Sequence, residues 1–192
     1  TEMVTGMALV HTKELDRHLR FDSQQHPVIL QVGGADPENL ANAMELAKSY
    51  NYDAINLNCG CPSSKVANSG CFGAALMREA ALVAEICKSM HHRINSDNSS
   101  NITPITVKSR IGVDDQDSYE FVRDFIGTVG DTGVVSHFII HSRKAILNAN
   151  LSAEQNRKIP PINYDIVYKL VKEFPQYSFV LNGQVKTYDE EI

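Results

Sequence analysis

The sequence predicts an α/β fold of the TIM-type (β/α)8 barrel class, and three observations lead to this prediction. Short apolar strands alternate with amphipathic helices, which is typical of parallel strands joined by right-handed crossovers. Two of the strands have an apolar face and a polar face. The polar side chains lie near the C-terminal ends of their strands, where barrel enzymes build their active sites.

The first clear strand is Val28–Gly34, an apolar run that ends in a glycine turn. Asp36 and Pro37 then predict the start of a helix that continues to about Ser49, since aspartate is a preferred N-cap and proline fits the first turn. The next strand is Ala54–Asn58, followed by a helix from Glu79 to about His92.

The second half of the chain repeats this pattern. It contains the predicted strands Ile105–Arg110, His137–His141 and Ser178–Asn182. Helices are predicted from about Ser118 to Val129 and from Tyr164 to Phe174. Units of this length indicate a parallel sheet.

Strand alternation favours a barrel over a doubly wound sheet. Asn56 and Asn58 share one face of their strand, and Lys108 and Arg110 share one face of theirs. A doubly wound sheet would have two apolar faces covered by helices, whereas a barrel can direct polar groups to its mouth.

The chain has 192 residues, and a whole barrel typically needs about 250. We expect Thr1–Met3 to end an earlier strand and Thr187–Ile192 to begin a helix. Residues 1–192 are therefore predicted to be part of one catalytic barrel domain that lacks its first strand or two and its last strand.

Composition limits the classes of function. A content of 43% hydrophobic and 21% charged residues fits a globular protein, and no apolar run approaches the roughly 18 residues that span a bilayer. The net charge of −5 argues against a surface coated in basic residues for unspecific nucleic-acid binding. Four cysteines without a framework spacing suggest a reducing compartment.

The strongest chemical signal is a cysteine loop. Cys61 lies between Gly60 and Pro62, directly after a strand that ends in asparagines, and we interpret it as a catalytic residue. Cys59 and Cys71 flank the same loop and are alternatives, whereas Cys87 falls in an apolar helix. The spacing of these cysteines does not match a zinc site, so no metal is predicted.

Several motifs together resemble the tRNA-dihydrouridine synthases. They are Asn56-Leu57-Asn58, Gly60-Cys61-Pro62-Ser63, Gly73-Ala74-Ala75-Leu76-Met77, Val107-Lys108-Ser109-Arg110-Ile111-Gly112, His141-Ser142-Arg143-Lys144-Ala145 and Asn182-Gly183. The run Asn156-Arg157-Lys158-Ile159-Pro160-Pro161, followed by Tyr164 and Val167-Tyr168, resembles the A-type branch.

This resemblance implies an FMN-dependent enzyme that uses NADPH to reduce uridine to 5,6-dihydrouridine in the tRNA D-loop, of the U20/U20a type. Hydride would reach C6 of uracil, and the family's general acid, which matches Cys61, would protonate C5. We expect this chain to lack the family's C-terminal helical tRNA-binding domain. The expected location is the cytoplasm or an organelle that makes its own tRNA, and the expected state is a monomer without membrane association.

The resemblance also implies the cofactor contacts, which are Gln31, Asn58, Lys108, His141, Asn182 and Gly183. Lys108 would face the N1/O2 side of the flavin, and Asn182-Gly183 would form half of the phosphate site. Gln184 stands where the family usually has a second glycine, a position at which glycine would permit a positive φ. Arg110 fits either a second cation of the site or an ion pair at the barrel mouth.

A basic cluster could contact RNA phosphates beside a uridine that is flipped out to stack on the flavin. Its members are Arg143, Lys144, Arg157 and Lys158, and Lys65 and Arg78 could extend it. Two other classes remain open. One is an FMN barrel oxidoreductase acting on a small-molecule pyrimidine or other enone-like substrate, and the other is an RNA-binding protein without catalysis.

Overall fold

A computed structural model describes residues 1–62, 72–97, 102–149 and 151–185. Within these residues the strands form one six-stranded parallel sheet in the spatial order β1-β2-β3-β4-β5-β6. The strands are β1 Val4–Thr5, β2 Ile29–Gly33, β3 Ala54–Cys59, β4 Ile105–Arg110, β5 Val135–His141 and β6 Ser178–Asn182.

The strand order distinguishes a barrel from a doubly wound sheet. Each strand pairs with the one that precedes it in the sequence, whereas a doubly wound sheet reverses its order at a switch point. Sequential parallel pairing with intervening helices is the arrangement of a (β/α) barrel. The predicted fold class is confirmed as part of such a barrel.

Six α-helices lie within the described ranges of the chain. They are α1 Gly6–His11, α2 Leu15–Leu19, α3 Pro37–Ala47, α4 Ala80–Ile94, α5 Tyr119–Gly130 and α6 Tyr164–Glu173. Asp36 and Ser118 cap α3 and α5 by accepting hydrogen bonds from the backbone amides of Asn39 and Phe121. The predicted start of α3 is thus confirmed, and α3 ends in a 3-10 turn, Lys48–Tyr50.

The core lies between the outer face of the sheet and these helices. Ile55, Leu57, Val107 and Ile140 are fully buried and belong to one continuous apolar cluster. This packing fixes the strand faces, because a shift of one residue would turn the apolar side chains away from the helices. The opposite, inner face therefore carries the polar residues.

Three details of the strands differ from the sequence prediction. Strand β3 extends to Cys59 rather than ending at Asn58, and β5 begins at Val135 rather than at His137. The third is an irregular register between β4 and β5, where two steps from Ile105 to Val107 pair with three steps from Val135 to Phe138.

The two ends of the described chain also bear on the prediction. The first strand is Val4–Thr5, so the strand expected to end at Thr1–Met3 lies slightly later in the sequence. The helix predicted at 187–192 lies outside the described residues. No helix in the described part is long and apolar enough to cross a membrane.

Candidate active site

A cavity of about 890 Å³ opens at the C-terminal ends of β3 to β6. Its lining includes most of the residues predicted for the site, namely Asn58, Cys61, Lys108, His141, Arg157, Lys158, Asn182 and Gly183. The register explains why they meet, because Arg110, His141 and Asn182 lie at one level of neighbouring strands. The volume lies within the range of small-molecule and cofactor sites.

The cysteine loop is fixed by hydrogen bonds from neighbouring elements. Asn58 Oδ1 accepts from the backbone N–H of Gly60 at 3.1 Å and of Cys61 at 2.9 Å. The carbonyl of Cys61 accepts from the amide of Ala74 at 2.9 Å. These contacts hold the backbone of Cys61 while its partly exposed side chain borders the cavity.

The other cysteines have different environments. Cys59 and Cys87 are fully buried in the apolar cluster. Burial raises the pKa of the Cys59 thiol well above its usual value and that of Cys87 to about 12. Both residues are absent from the lining of the cavity. Cys71, the other alternative for the acid, lies outside the described residues, as does Lys65.

Gln31, the remaining predicted cofactor contact, lies beside the cavity rather than in its lining. Its side-chain amide is hydrogen-bonded to two asparagines of β3. It donates to Asn56 Oδ1 at 2.8 Å and accepts from Asn58 Nδ2 at 2.9 Å. The structure therefore connects Gln31 to the site through Asn58.

Lys108 lies on β4 directly opposite Asn58, the residue that holds the cysteine loop. Its Nζ donates to Asn182 Oδ1 at 2.9 Å, which links β4 to β6 across the cavity. Burial, and secondarily the charge of Arg110, lower the pKa of Lys108 to about 8. A desolvated cation beside an open cavity is a strong attractor for an anionic ligand.

His141 lies at the end of β5 and borders the same cavity. Burial, followed by the charges of Arg110 and Lys108, lowers its pKa to about 3. The imidazole is therefore neutral at physiological pH. A neutral imidazole has one donor nitrogen and one acceptor nitrogen, so it can orient a ligand without adding charge.

Arg110 connects the loops around the cavity. It is 3% exposed, and its Nε donates to the carbonyl of Gly60 at 3.1 Å. Its Nη1 donates to the carbonyls of Lys144 and Asn156 at 3.1 and 3.0 Å. The sequence leaves two roles open for Arg110, a second cation of the site and an ion pair. The structure instead shows a buried guanidinium on three backbone carbonyls, at the edge of the cavity.

The turn after β6 depends on two positive φ angles. Gly183 has φ +119°, and a Cβ there would lie 2.6 Å from His141 Cδ2. Gln184 has φ +56°, so it adopts the left-handed backbone that a second glycine would favour. Tyr164 donates its hydroxyl to the carbonyl of Gly183 at 2.7 Å, and Arg143 Nη2 donates to Gln184 Oε1.

The predicted RNA-contacting residues have different degrees of exposure. Arg157 and Lys158 are exposed and line the cavity, while Lys144 Nζ pairs with Asp117 at 2.7 Å. Arg143 is only 5% exposed, and its guanidinium donates to the Pro160 carbonyl and to Gln184. The expectation of a surface role for Arg143 is therefore corrected, because its guanidinium is directed into the protein.

One residue that the sequence did not single out is Asp114, which holds the loop after β5. This buried residue has φ +54°, and its Oδ1 accepts from the amides of Leu147 and Asn148 at 2.7 and 3.0 Å. Its Oδ2 pairs with Arg78, a residue predicted to extend the RNA surface. Its signal in the sequence is an aspartate that follows the end of β4 by a few residues.

The lining of the cavity is chemically suited to a flavin. Lys108 offers a cation, His141 a neutral imidazole, and Asn58 and Asn182 offer amide groups. At Gly183 the backbone approaches His141 more closely than any side chain would allow. Within the described residues, no group of three or more His, Cys, Asp or Glu could hold a metal ion.

Comparison with known proteins identifies the family of this chain. The family model described as "Dihydrouridine synthase (Dus)" matches residues 1–192. The tRNA-dihydrouridine(20/20a) synthase of Escherichia coli strain K12 is 48% identical over 190 residues, which cover 99% of this chain and 52% of that protein. The proteins of the same name from Salmonella typhi and Vibrio cholerae are 48% and 46% identical over 99% of this chain, covering 54% and 55% of their own lengths. The chain thus spans about half the length of the curated relatives it matches.

Proposed function

Because the chain belongs to the dihydrouridine synthase family, we propose that the protein reduces uridine to 5,6-dihydrouridine in the D-loop of tRNA, at U20/U20a-type positions. Relatives that share 46 to 48% identity with the chain carry the name tRNA-dihydrouridine(20/20a) synthase. The observation that carries the proposal is the cavity in which a thiol, an ammonium group and a neutral imidazole converge. Residues 1–192 form part of the catalytic barrel domain in this proposal.

The proposed cofactor is FMN, with NADPH as reductant. When bound, the flavin supplies the hydride that reduces C6 of the uracil. Lys108 would stabilise negative charge on the ring, and its hydrogen bond to Asn182 keeps the ammonium directed across the cavity. His141 and Asn58 would hold the ring by hydrogen bonds. The turn Asn182-Gly183 provides backbone groups for the phosphate, since Gly183 has no side chain to obstruct it.

Cys61 is the proposed general acid. Its Sγ donates a proton to C5 of uracil as the C5–C6 π bond is consumed, so that one new C–H bond forms at each carbon. The thiolate that remains takes a proton from solvent. A fixed loop suits this task, because proton transfer to carbon requires a defined direction, and the backbone of Cys61 is held by Asn58 and Ala74.

RNA contacts are proposed for the exposed residues at the cavity mouth. Arg157 and Lys158 can reach phosphates beside a flipped uridine, and Lys144 can do so if it exchanges Asp117 for a phosphate. Arg143 supports the same surface from below through the Pro160 carbonyl and Gln184.

The test is dihydrouridine formation in D-loop tRNA by the full-length protein with FMN and NADPH. Replacing Cys61 with Ala should lower kcat by at least about 100-fold, the typical contribution of a general acid, while flavin remains bound and reducible. Cys71→Ala tests the alternative acid, and Cys59→Ala serves as the control for a thiol in the core. Loss of activity in Cys71→Ala alone would transfer the role to Cys71.

The same assay separates the substrate classes. We expect product from tRNA and none from free uridine. If the wild type holds reducible flavin but forms no dihydrouridine in tRNA, the proposal fails. Reduction of a free pyrimidine would then assign the cavity to a small-molecule substrate.

A further inference from the structure

A row of polar side chains crosses the inner face of the sheet beneath the cavity. Gln31 on β2, Asn56 on β3 and Thr106 on β4 lie at one register level, each opposite the next. Asn56 and Thr106 are 4% and 5% exposed, and neither lines the cavity. Buried polar groups of this kind must find partners within the protein.

These side chains form a continuous series of hydrogen bonds. Thr106 Oγ1 donates to the carbonyl of Ile55 at 3.2 Å and accepts from Asn56 Nδ2 at 2.9 Å. Gln31 Nε2 donates to Asn56 Oδ1 at 2.8 Å, and Asn58 Nδ2 donates to Gln31 Oε1 at 2.9 Å. Asn58 Oδ1 in turn accepts from the two amides of the cysteine loop.

The two ends of this series determine the orientation of every amide within it. A backbone carbonyl can only accept, so Thr106 must donate to Ile55 and present a lone pair to Asn56. Backbone N–H groups can only donate, so Asn58 must turn its oxygen toward the cysteine loop. Gln31 and Asn56 are compatible with both ends in only one orientation. The bonds therefore all run in one direction and polarise one another.

We infer that Thr106 and Asn56 are positioning residues for the cysteine loop, acting on it through Gln31 and Asn58. Thr106 sets the orientation of Asn56, which sets that of Gln31, and Gln31 keeps the oxygen of Asn58 directed at the amides of Gly60 and Cys61. The part of this inference that concerns catalysis rests on the proposed function of Cys61. The part that concerns the orientation of the cysteine loop does not rest on that function.

Hydrogen–deuterium exchange of the flavin-free, full-length protein tests the structural part. Thr106→Val keeps the branched shape that suits a strand but removes the hydroxyl, so the fold should survive. We expect the amides of Gly60 and Cys61 to exchange about tenfold faster, as for the loss of one buried hydrogen bond. Thr106→Ser keeps the hydroxyl and should restore the wild-type rate.

A matched control is Thr132→Val, which removes a hydroxyl that donates to the carbonyl of Val129 at 2.6 Å, at the end of α5. It should leave exchange at Gly60 and Cys61 unchanged. Unchanged exchange there in Thr106→Val would overturn the inference. A uniform increase over the whole sheet would also overturn it, because Thr106 would then act on stability alone.

The reaction gives an independent readout. Thr106→Val should lower kcat for dihydrouridine formation while KM for NADPH stays constant, and Thr106→Ser should recover kcat. If exchange changes as expected but the wild type makes no dihydrouridine, the hydrogen-bonded row holds the loop and the proposed function is what fails.

Discussion

At the scale of single residues, the environment of the site keeps His141 uncharged at neutral pH. Burial together with Arg110 and Lys108 lowers its pKa from 6.5 to about 3. Between these pH values the unfolded chain binds a proton that the folded protein does not. The folded protein is therefore progressively destabilised as the pH falls from about 6.5 toward 3, and this contribution to the pH dependence is absent above about pH 6.5.

We therefore predict that His141→Gln flattens the acid side of the stability profile. The measurement is urea unfolding of the flavin-free protein at several pH values between 4 and 7. His18→Gln is the control, because His18 is exposed on α2. An acid slope that is the same in His141→Gln and in the wild type would contradict the described burial of this imidazole.

At the scale of elements, the turn after β6 requires glycine for two reasons that can be separated. Gly183 has φ +119° and contacts His141, whereas Gly133 has φ +75° and no atom within 4 Å of the place that a Cβ would occupy. Gly133→Ala should cost about 1 kcal/mol of unfolding free energy from backbone strain alone. Gly183→Ala should cost about 3 kcal/mol, since the collision with the imidazole is added.

Flavin binding gives the second readout for this pair. We expect Gly183→Ala to lose flavin affinity and Gly133→Ala to keep it. Equal losses of stability in the two variants would show that the ring of His141 moves aside without cost.

The loop after β5 is held by Asp114, which lies in the loop after β4. Asp114→Ala removes the partner of Arg78 and of the amides of Leu147 and Asn148, and should destabilise the protein by about 3 kcal/mol. Asp114→Asn keeps an acceptor and tolerates the positive φ, so its effect should be smaller. Urea unfolding and proteolysis of residues 143–149 measure both. Equal effects would show that the charge of Asp114, rather than its hydrogen bonds, holds the loop.

Sequence reasoning succeeded where the signal is local. The bounds of β4 and β6 agree with the prediction because short-range features mark both strands: apolar and polar residues alternate in Ile105–Arg110 before Gly112, and Ser178–Asn182 has an apolar centre before Gly183. Helices α1 and α2 were missed, since six and five residues are too few to show a helical period. The burial of Arg143 and the carbonyl contacts of Arg110 could not be predicted either, because their partners are distant in sequence.

At the scale of the whole molecule, the net charge of −5 contrasts with the basic mouth of the cavity. We predict that Arg157→Ala weakens tRNA binding and reduces the slope of log affinity against log salt by about 1. Lys144→Ala should change the slope less, because its ammonium is already paired with Asp117. Lys172→Ala, on the exposed surface of α6, is the control. A slope unaffected by Arg157→Ala would remove this residue from the phosphate contacts.

The spatial order of the strands also has a consequence for how the molecule forms. Each strand pairs with the one synthesised just before it, so the sheet can grow in the direction of translation with short loop closures at each step. The hydrogen-bonded row beneath the thiol is complete once β4 has joined. Lys108 gains its amide partner only when Asn182 arrives with β6. Under the proposed function, the loop of the general acid Cys61 would then be held before the cation site is complete, and cofactor binding would be a late event in maturation.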